Sequence, residues 1–152
     1  MNTAFLLVGS NIDPVQNTQK AMTLLESMVQ IEKTSRTWEI PSIGSPGPNF
    51  INFAVQIRTS LTSSELKDKV ISPIEQSLKR VRSSDKNSPR TIDIDIILFN
   101  GQLLDPNIWI RPYAALPMAD LAPDLIHPDT GLRLREIAAE IERSGILKPY
   151  NV

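Results

Sequence analysis

An α+β fold, a split βαβ sandwich with a mainly antiparallel sheet, follows from three features of the sequence. Strand-like and helical patterns succeed one another in the order β-α-β-β-α-β between Thr3 and Phe99. An Asn100-Gly101 pair directly behind the last strand pattern marks a hairpin. After Asp105 the chain turns irregular and proline-rich, then regains helical patterns. That order is ferredoxin-like, with an added hairpin and C-terminal helices, and it predicts helices on one face of the sheet.

Thr3–Val8 is a short apolar run of β-forming residues closed by Gly9-Ser10-Asn11, which reads as a buried strand and a turn. Asp13-Pro14 supplies an N-cap and a proline at the first helical position, where a missing amide is harmless. Ala21, Leu24, Leu25 and Met28 then fall on one stripe, predicting a helix to about Val29. Ile31–Ile40 reads as one strand. Pro41–Pro48 (PSIGSPGP) holds three prolines and two glycines; proline lacks the amide donor and fixes its own φ, so this is a shaped loop. Phe50–Thr59 alternates as a strand, with Phe50, Asn52, Ala54 and Gln56 on one face and Ile51, Phe53, Val55 and Ile57 on the other.

Thr62-Ser63-Ser64-Glu65 fits a capping box and opens a helix to about Lys79, which Pro73 should kink or split. Arg90–Phe99 is the next strand, and Gln102–Leu104 returns beside it after the hairpin. Its alternation sets Thr91, Asp93, Asp95 and Ile97 on one face against Ile92, Ile94, Ile96 and Leu98 on the other. A short helix around Met118–Leu121 and a longer one over Leu132–Glu140 complete the chain. The sole histidine, His127, reads as a packing or turn residue between Ile126 and Pro128.

A chain of 152 residues fits one domain, 1–152, and 41% hydrophobic with 22% charged residues fits a globular protein. With no cysteine, disulfides, thiolate metal sites and cysteine nucleophiles are excluded. The N-terminal apolar run is too short, and lacks the basic leader, for a signal peptide. No segment reaches the roughly 18 apolar residues of a membrane span, so a cytoplasmic protein is expected. The net charge of −1 gives no general attraction to nucleic acid or anionic membranes. Charge is concentrated locally instead: Lys79, Arg80, Arg82, Lys86 and Arg90 accompany one acid, Asp85. A basic loop on a near-neutral protein suits a small polyanion.

That loop runs straight into Asp93 and Asp95. Both project from one face of their strand, roughly 6–7 Å apart at about 3.3 Å per residue, and they repel. One reading makes them structural, with one paired to Arg90 and the other solvated. The other places them at Mg²⁺ and a polyphosphate, because Mg²⁺ takes one or two protein carboxylates and completes its shell with water and phosphate oxygens. Arg80, Arg82 and Arg90 favour the second, since the guanidinium fork matches phosphate oxygens two at a time. Upstream, Phe50 offers an aromatic face and Asn52 an amide, which together suit a planar heterocycle, though Phe50 also fits a core. No G-x-x-x-x-G-K-[ST] phosphate loop occurs in the chain.

Four segments in this order resemble the 6-hydroxymethyl-7,8-dihydropterin pyrophosphokinase family of folate biosynthesis: LLVGSNI at 6–12, WEIPSIGSPGPNFINFAV at 38–55, RVRSSDKNSPRTIDIDIILFNG at 80–101 and RPYAALPMADLAPDLIHPDTG at 111–131. The resemblance implies Mg²⁺-dependent transfer of pyrophosphate from ATP to the pterin hydroxymethyl group, giving AMP and the pterin diphosphate. It implies that Asp93 and Asp95 hold two Mg²⁺ ions, that Arg80 and Arg90 contact the triphosphate as catalytic groups, and that Arg82 joins on loop closure. Arg111 falls on an ATP-contacting position, Ile96 near the adenine and Glu75 near the nucleotide. Asn52 would bind the pterin edge and Phe50 stack on the ring, with Tyr113 opposite and Ile40, Pro41 and Ile43 closing the pocket. Small-molecule substrates are implied, and no nucleic acid, membrane or obligate protein partner.

The sequence departs from the family pattern in several places. Asn87-Ser88 stands where the family has Trp-Gly, a Pro-His connection before Arg111 is shortened, Tyr113 replaces Phe, and Trp38 replaces Tyr. These departures motivate an alternative, a degenerate member that binds pterin or nucleotide without turnover. A second rival, an RNA-recognition module of the same topology, would carry aromatics where TIDIDIIL has two acids.

Overall fold

The computed structural model describes residues 1–40, 49–78, 92–145 and 147–149. Its centre is strand β1 (Asn2–Ser10), followed by helix α1 (Pro14–Met28), β2 (Gln30–Thr34), β3 (Trp38–Ile40) and β4 (Phe50–Thr59). Next come α2 (Ser63–Leu66), a π-helical turn (Lys67–Ile71), α3 (Ser72–Ser77), β5 (Asp93–Phe99) and β6 (Gln102–Leu103). A 3₁₀ turn (Pro106–Trp109), α4 (Pro112–Leu121), α5 (Leu134–Ser144) and β7 (Lys148–Pro149) follow. The sheet runs β6-β5-β1-β4-β3-β7, with β2 also on β4, and its pairings are antiparallel. With β1 between β4 and β5, this is the ferredoxin-like arrangement extended by the hairpin and C-terminal elements.

The sheet is covered on both faces rather than one. On the first face, Ala4, Leu6, Val8, Phe53, Val55, Ile57 and Ile94 pack with Ala21 and Leu25 of α1 and with Leu66, Val70, Ile71 and Ile74 of the second helical segment. On the second, Leu7, Ala54, Ile97 and Leu98 meet Ala114, Ala115 and Met118 of α4 and Leu134 of α5. The near-continuous apolar runs LLV in β1 and FAV in β4 are what a strand buried on both sides requires. The stripe on α1 is narrower than its sequence suggests: Thr18, Ala21 and Leu25 are buried, but Met28 is 43% exposed at the last turn.

Two elements differ from the sequence reading for local reasons, and a third is split as that reading allowed. The expected strand 31–40 is two strands, because its register on β4 slips at Ile31/Lys33 and again before Trp38. Ser35 fills the break: its backbone amide donates to the Ala54 carbonyl, and its hydroxyl accepts the Ala54 amide at 2.7 Å. The helix opened by the Thr62–Glu65 capping box is split as expected, through a wide turn in which the Ser72 amide reaches Lys67. That turn makes room for the Pro73 ring, which would otherwise press on the carbonyl four residues back. On β5, Ile97 is an extra residue, since Leu6 pairs with Ile96 and Phe5 with Leu98. The bulge turns Leu98 to the α4 side and Phe99 to the α1 side, so the alternation expected for Leu98 fails there.

The C-terminal helices begin or end away from their expected positions. Helix α4 runs over 112–121, well beyond the short segment expected, with Pro112 in its first turn and Pro117 inside. Helix α5 starts at Leu134 and stops at Gly145, whose φ of 72° is the left-handed cap that glycine favours. The tail then contributes β7 to the edge of β3. His127 is a turn residue as read: its Nδ1 accepts the Asp129 and Thr130 amides, and its ring packs on Trp109 at 4.9 Å between centroids. Among the described residues, no helix is long and apolar enough to cross a membrane.

Candidate active site

Strand register places the acids of β5 and the amide of β4 in line. Asp93 lies opposite Gly9, Gly9 opposite Asn52, and Asn52 opposite Trp38. Residues directly opposite in a sheet share a face, so all four belong to the face that carries α4. The next row, Asp95–Leu7–Ala54, is on the same face. With strands about 4.8 Å apart, Asp93 and Asn52 are roughly 10 Å from each other across the glycine. Asp93 is half-buried and Asp95 exposed.

Asn52 is 7% exposed, and its Oδ1 has no hydrogen-bond partner among the described residues. Its Nδ2 donates to the Tyr113 carbonyl across a long 3.5 Å. Tyr113 stands four residues before Pro117, and proline has no amide to return to that carbonyl, so the acceptor is available to Asn52. A carbonyl can only accept, which fixes Nδ2 toward Tyr113 and Oδ1 over Gly9. The result is a buried acceptor with no described partner, aimed into the gap that the glycine leaves.

On the other side of the row, Glu75 of α3 is 5% exposed and its Oε2 accepts the Ile94 amide at 3.2 Å. That amide belongs to the residue between the two aspartates and faces the outer edge of β5. Among the described residues, the Leu104 amide donates to the Ile97 carbonyl, and strand β6 pairs with this edge at Leu98 and Phe99. Beside it is a cleft of about 430 Å³ bounded by Ser63, Ser64 and Lys67 at the start of the second helical segment, by Ile94, Asp95 and Ile96, and by Leu104 and Asp105 beyond the hairpin. A cleft of about 500 Å³ between α1 and β4 opens on the opposite face and holds none of the candidate residues.

The aromatic and apolar candidates converge near Asn52. Phe50 and Ile40 pair with one another one row beyond Asn52 and Trp38, both half-buried. Tyr113 is half-buried at the start of α4, and the Arg111 guanidinium sits 5.8 Å from its ring centroid. Trp38 is fully buried, and the Arg36 guanidinium lies 4.7 Å from its ring. Arg36 also bonds Asp120 of α4 at 2.8 Å, which holds its pKa above the ordinary arginine value and ties the β2–β3 junction to that helix. Pro41, Ile43, Arg80, Arg82 and Arg90 lie outside the described residues.

Asp93 and Asp95 fit a hard divalent cation: two carboxylates on one face beside an open cleft. Among the described residues no cluster of three or more His, Cys, Asp or Glu forms a metal cage; Mg²⁺ commonly takes only one or two protein carboxylates and completes its shell with water and phosphate oxygens. Two contributors escaped the sequence reading. Gly9 looks like part of a turn until strand register sets it between Asp93 and Asn52. Pro117 looks like a helix breaker until the helix continues through it.

The comparisons with known proteins identify the family. Residues 5–123 match the family model described as 7,8-dihydro-6-hydroxymethylpterin-pyrophosphokinase (HPPK). A protein of Aquifex aeolicus named 2-amino-4-hydroxy-6-hydroxymethyldihydropteridine pyrophosphokinase is 32% identical, the alignment covering 99% of this chain and 96% of that one. Its namesake from Pseudomonas aeruginosa is 33% identical over 93% of each chain. The fold is similar to a solved HPPK-DHPS structure from Plasmodium falciparum, at a TM-score of 0.75 and 16% identity, covering 100% of this chain and 48% of that one. The chain thus spans about half the length of that two-part protein. With its match running from β1 into the end of α4 and its relatives aligned over nearly their whole length, the chain belongs to the 7,8-dihydro-6-hydroxymethylpterin-pyrophosphokinase family.

Proposed function

We propose that the α4 face of the sheet, from the β5 aspartates across Gly9 to Asn52, is where this chain carries out its family's reaction. The chain is a pyrophosphokinase of folate synthesis, an enzyme that moves pyrophosphate from ATP to the hydroxymethyl group of 6-hydroxymethyl-7,8-dihydropterin. ATP is the co-substrate and Mg²⁺ the metal expected of the family; that two ions bind between Asp93 and Asp95 is part of the proposal. The supporting observation is the row itself, which sets the Asp93 carboxylate and a buried acceptor amide on one face about two strands apart. That span suits a two-ring heterocycle whose arm must reach the phosphates.

In this reading the Asn52 Oδ1 accepts a hydrogen bond from the N–H-bearing edge of the pterin, while Phe50 and Tyr113 take its faces and Ile40, Pro41 and Ile43 border it. The nucleotide takes the cleft along the open edge of β5, with the base near Ile96. Arg80, Arg82, Arg90 and Arg111 neutralise the triphosphate, an electrostatic contribution that phosphoryl transfer depends on. When bound, Mg²⁺ supplies further charge cancellation on the phosphate oxygens. The hydroxymethyl oxygen forms a bond to the β-phosphorus as the bond from that phosphorus to the bridging oxygen of AMP breaks. In this reading Asp95, which is exposed, receives the hydroxyl proton. Glu75 acts at one remove, by holding the backbone between the aspartates. A cytoplasmic setting and small-molecule partners go with this chemistry.

The direct test is AMP formation from ATP, Mg²⁺ and the dihydropterin. The wild-type chain should turn over, and Asp95→Ala should lose activity by at least roughly 100-fold (~2.7 kcal/mol in the barrier) while keeping its circular dichroism and melting behaviour. Pterin or nucleotide binding without AMP above background would favour the non-catalytic alternative. Near-normal turnover in Asp95→Ala would overturn the metal assignment.

A further inference from the structure

Gly9 has ordinary strand geometry, paired with Asn52 on one side and Asp93 on the other. It is not among the positive-φ glycines of the chain, so its backbone conformation is open to any residue. What excludes a side chain is a neighbour: a Cβ built on Gly9 would lie 2.2 Å from Asn52 Oδ1 and 3.1 Å from its Cγ. Real carbon and oxygen atoms do not approach so closely, and Asn52 has little freedom to yield. It is buried, and turning the amide over would bring its oxygen against the Tyr113 carbonyl that its Nδ2 now contacts.

We infer that Gly9 is a positioning residue for the acceptor substrate, present because the missing Cβ is the volume in which the Asn52 amide oxygen sits, unpartnered among the described residues and facing the ligand. The inference rests on the reading of Asn52 as the pterin-recognising amide, and it assigns to Gly9 the selectivity of that contact. A methyl group at position 9 pushes the amide off its acceptor geometry and fills part of the path between Asn52 and Asp93. The effect belongs to the pterin half of the site, because the cleft along the outer edge of β5 does not include Gly9.

A double-mutant cycle with Gly9→Ala and Asn52→Ala, read by melting temperature and by two binding constants, tests this. Gly9→Ala should weaken dihydropterin binding roughly tenfold or more, as expected for a lost and displaced hydrogen bond. It should leave binding of a non-hydrolysable ATP analogue with Mg²⁺ within about twofold, and raise KM for the pterin far more than for ATP. Its melting temperature should fall below wild type, because the methyl meets the amide. In the Asn52→Ala background the same substitution should not lower it, since alanine is the better strand residue once space exists. If Gly9→Ala alone does not fold, a folded double variant supports the proposal and an unfolded one overturns it. Equal destabilisation in both backgrounds, or unchanged pterin binding in Gly9→Ala, also overturns it. Unchanged pterin binding in Asn52→Ala defeats the site reading instead, while the stability arm still reports whether Gly9 and Asn52 compete for space.

Discussion

Glu75 illustrates how a buried side chain can hold the backbone of a neighbouring strand. Its buried carboxylate receives the Ile94 amide from an edge that, among the described residues, no strand covers at that position. Removing the acceptor leaves that amide to find another partner or go unsatisfied, a penalty of about 1–3 kcal/mol for a buried donor. Glu75→Ala should therefore be destabilised by about that amount in urea denaturation, with a drop in AMP formation as the Asp93–Asp95 segment loosens. Glu75→Gln keeps an acceptor oxygen and should recover much of the stability. Equal losses in the two variants would show that charge, not the backbone bond, is what position 75 provides. Residue types alone revealed the aspartates, Asn52 and Phe50, because carboxylate pairs and amide–aromatic combinations have few chemical uses. Gly9 and Pro117 act by lacking something, a Cβ and an amide, and a missing atom gives no signal until its neighbours are known.

The second helical segment shows the same division at the level of elements. Its capping box is visible in the sequence because it depends on residues three apart: the Glu65 amide donates to Thr62 Oγ1 at 3.2 Å, and the Thr62 amide to Glu65 Oε1 at 3.1 Å. That Thr62 backbone bond, reinforced by Lys69, holds the exposed Glu65 carboxyl below its ordinary value of 4.5. A carboxylate with a depressed folded pKa stabilises the fold above its unfolded pKa and loses that contribution as pH falls through the folded value. Glu65→Gln should thus be less stable than wild type near neutral pH, and denaturation melts at successively lower pH should show the gap closing below pH 4.5; a gap that persists there would mean the carboxylate charge is not its source. Thr62→Ala removes the cap oxygen and should cost about 1 kcal/mol in the same assay. Local rules of this kind also gave the Asn100-Gly101 hairpin, whose φ values of 50° and 81° match the tight turn that pair favours. The bulge at Ile97 and the break at Ser35 were not legible, because both arise from register against another strand.

For the whole molecule, both sheet faces are buried; the proposed nucleotide cleft runs along the outer edge of β5, and the proposed pterin row lies on the second face. Helix α4 covers Leu7 and Ala54 there, while its first turn meets Asn52 through the Tyr113 carbonyl. The ferredoxin-like order was readable from the succession of patterns, but the second helical layer was not, because an apolar run cannot say which of its faces meets which helix. The described residues proposed to bind pterin lie on β3, β4 and α4 and the acids on β5, joined through β1. That arrangement therefore predicts two half-sites that can be disabled separately. Calorimetric titration of the dihydropterin, with and without an ATP analogue and Mg²⁺, reads this most directly. Pterin binding should tighten when the analogue and metal are present. Asp95→Ala should lose that enhancement and retain pterin binding, whereas Asn52→Ala should lose pterin binding and retain the analogue. Pterin affinity indifferent to the analogue, or unaffected by Asn52→Ala, would contradict the assignment of two coupled half-sites joined through β1.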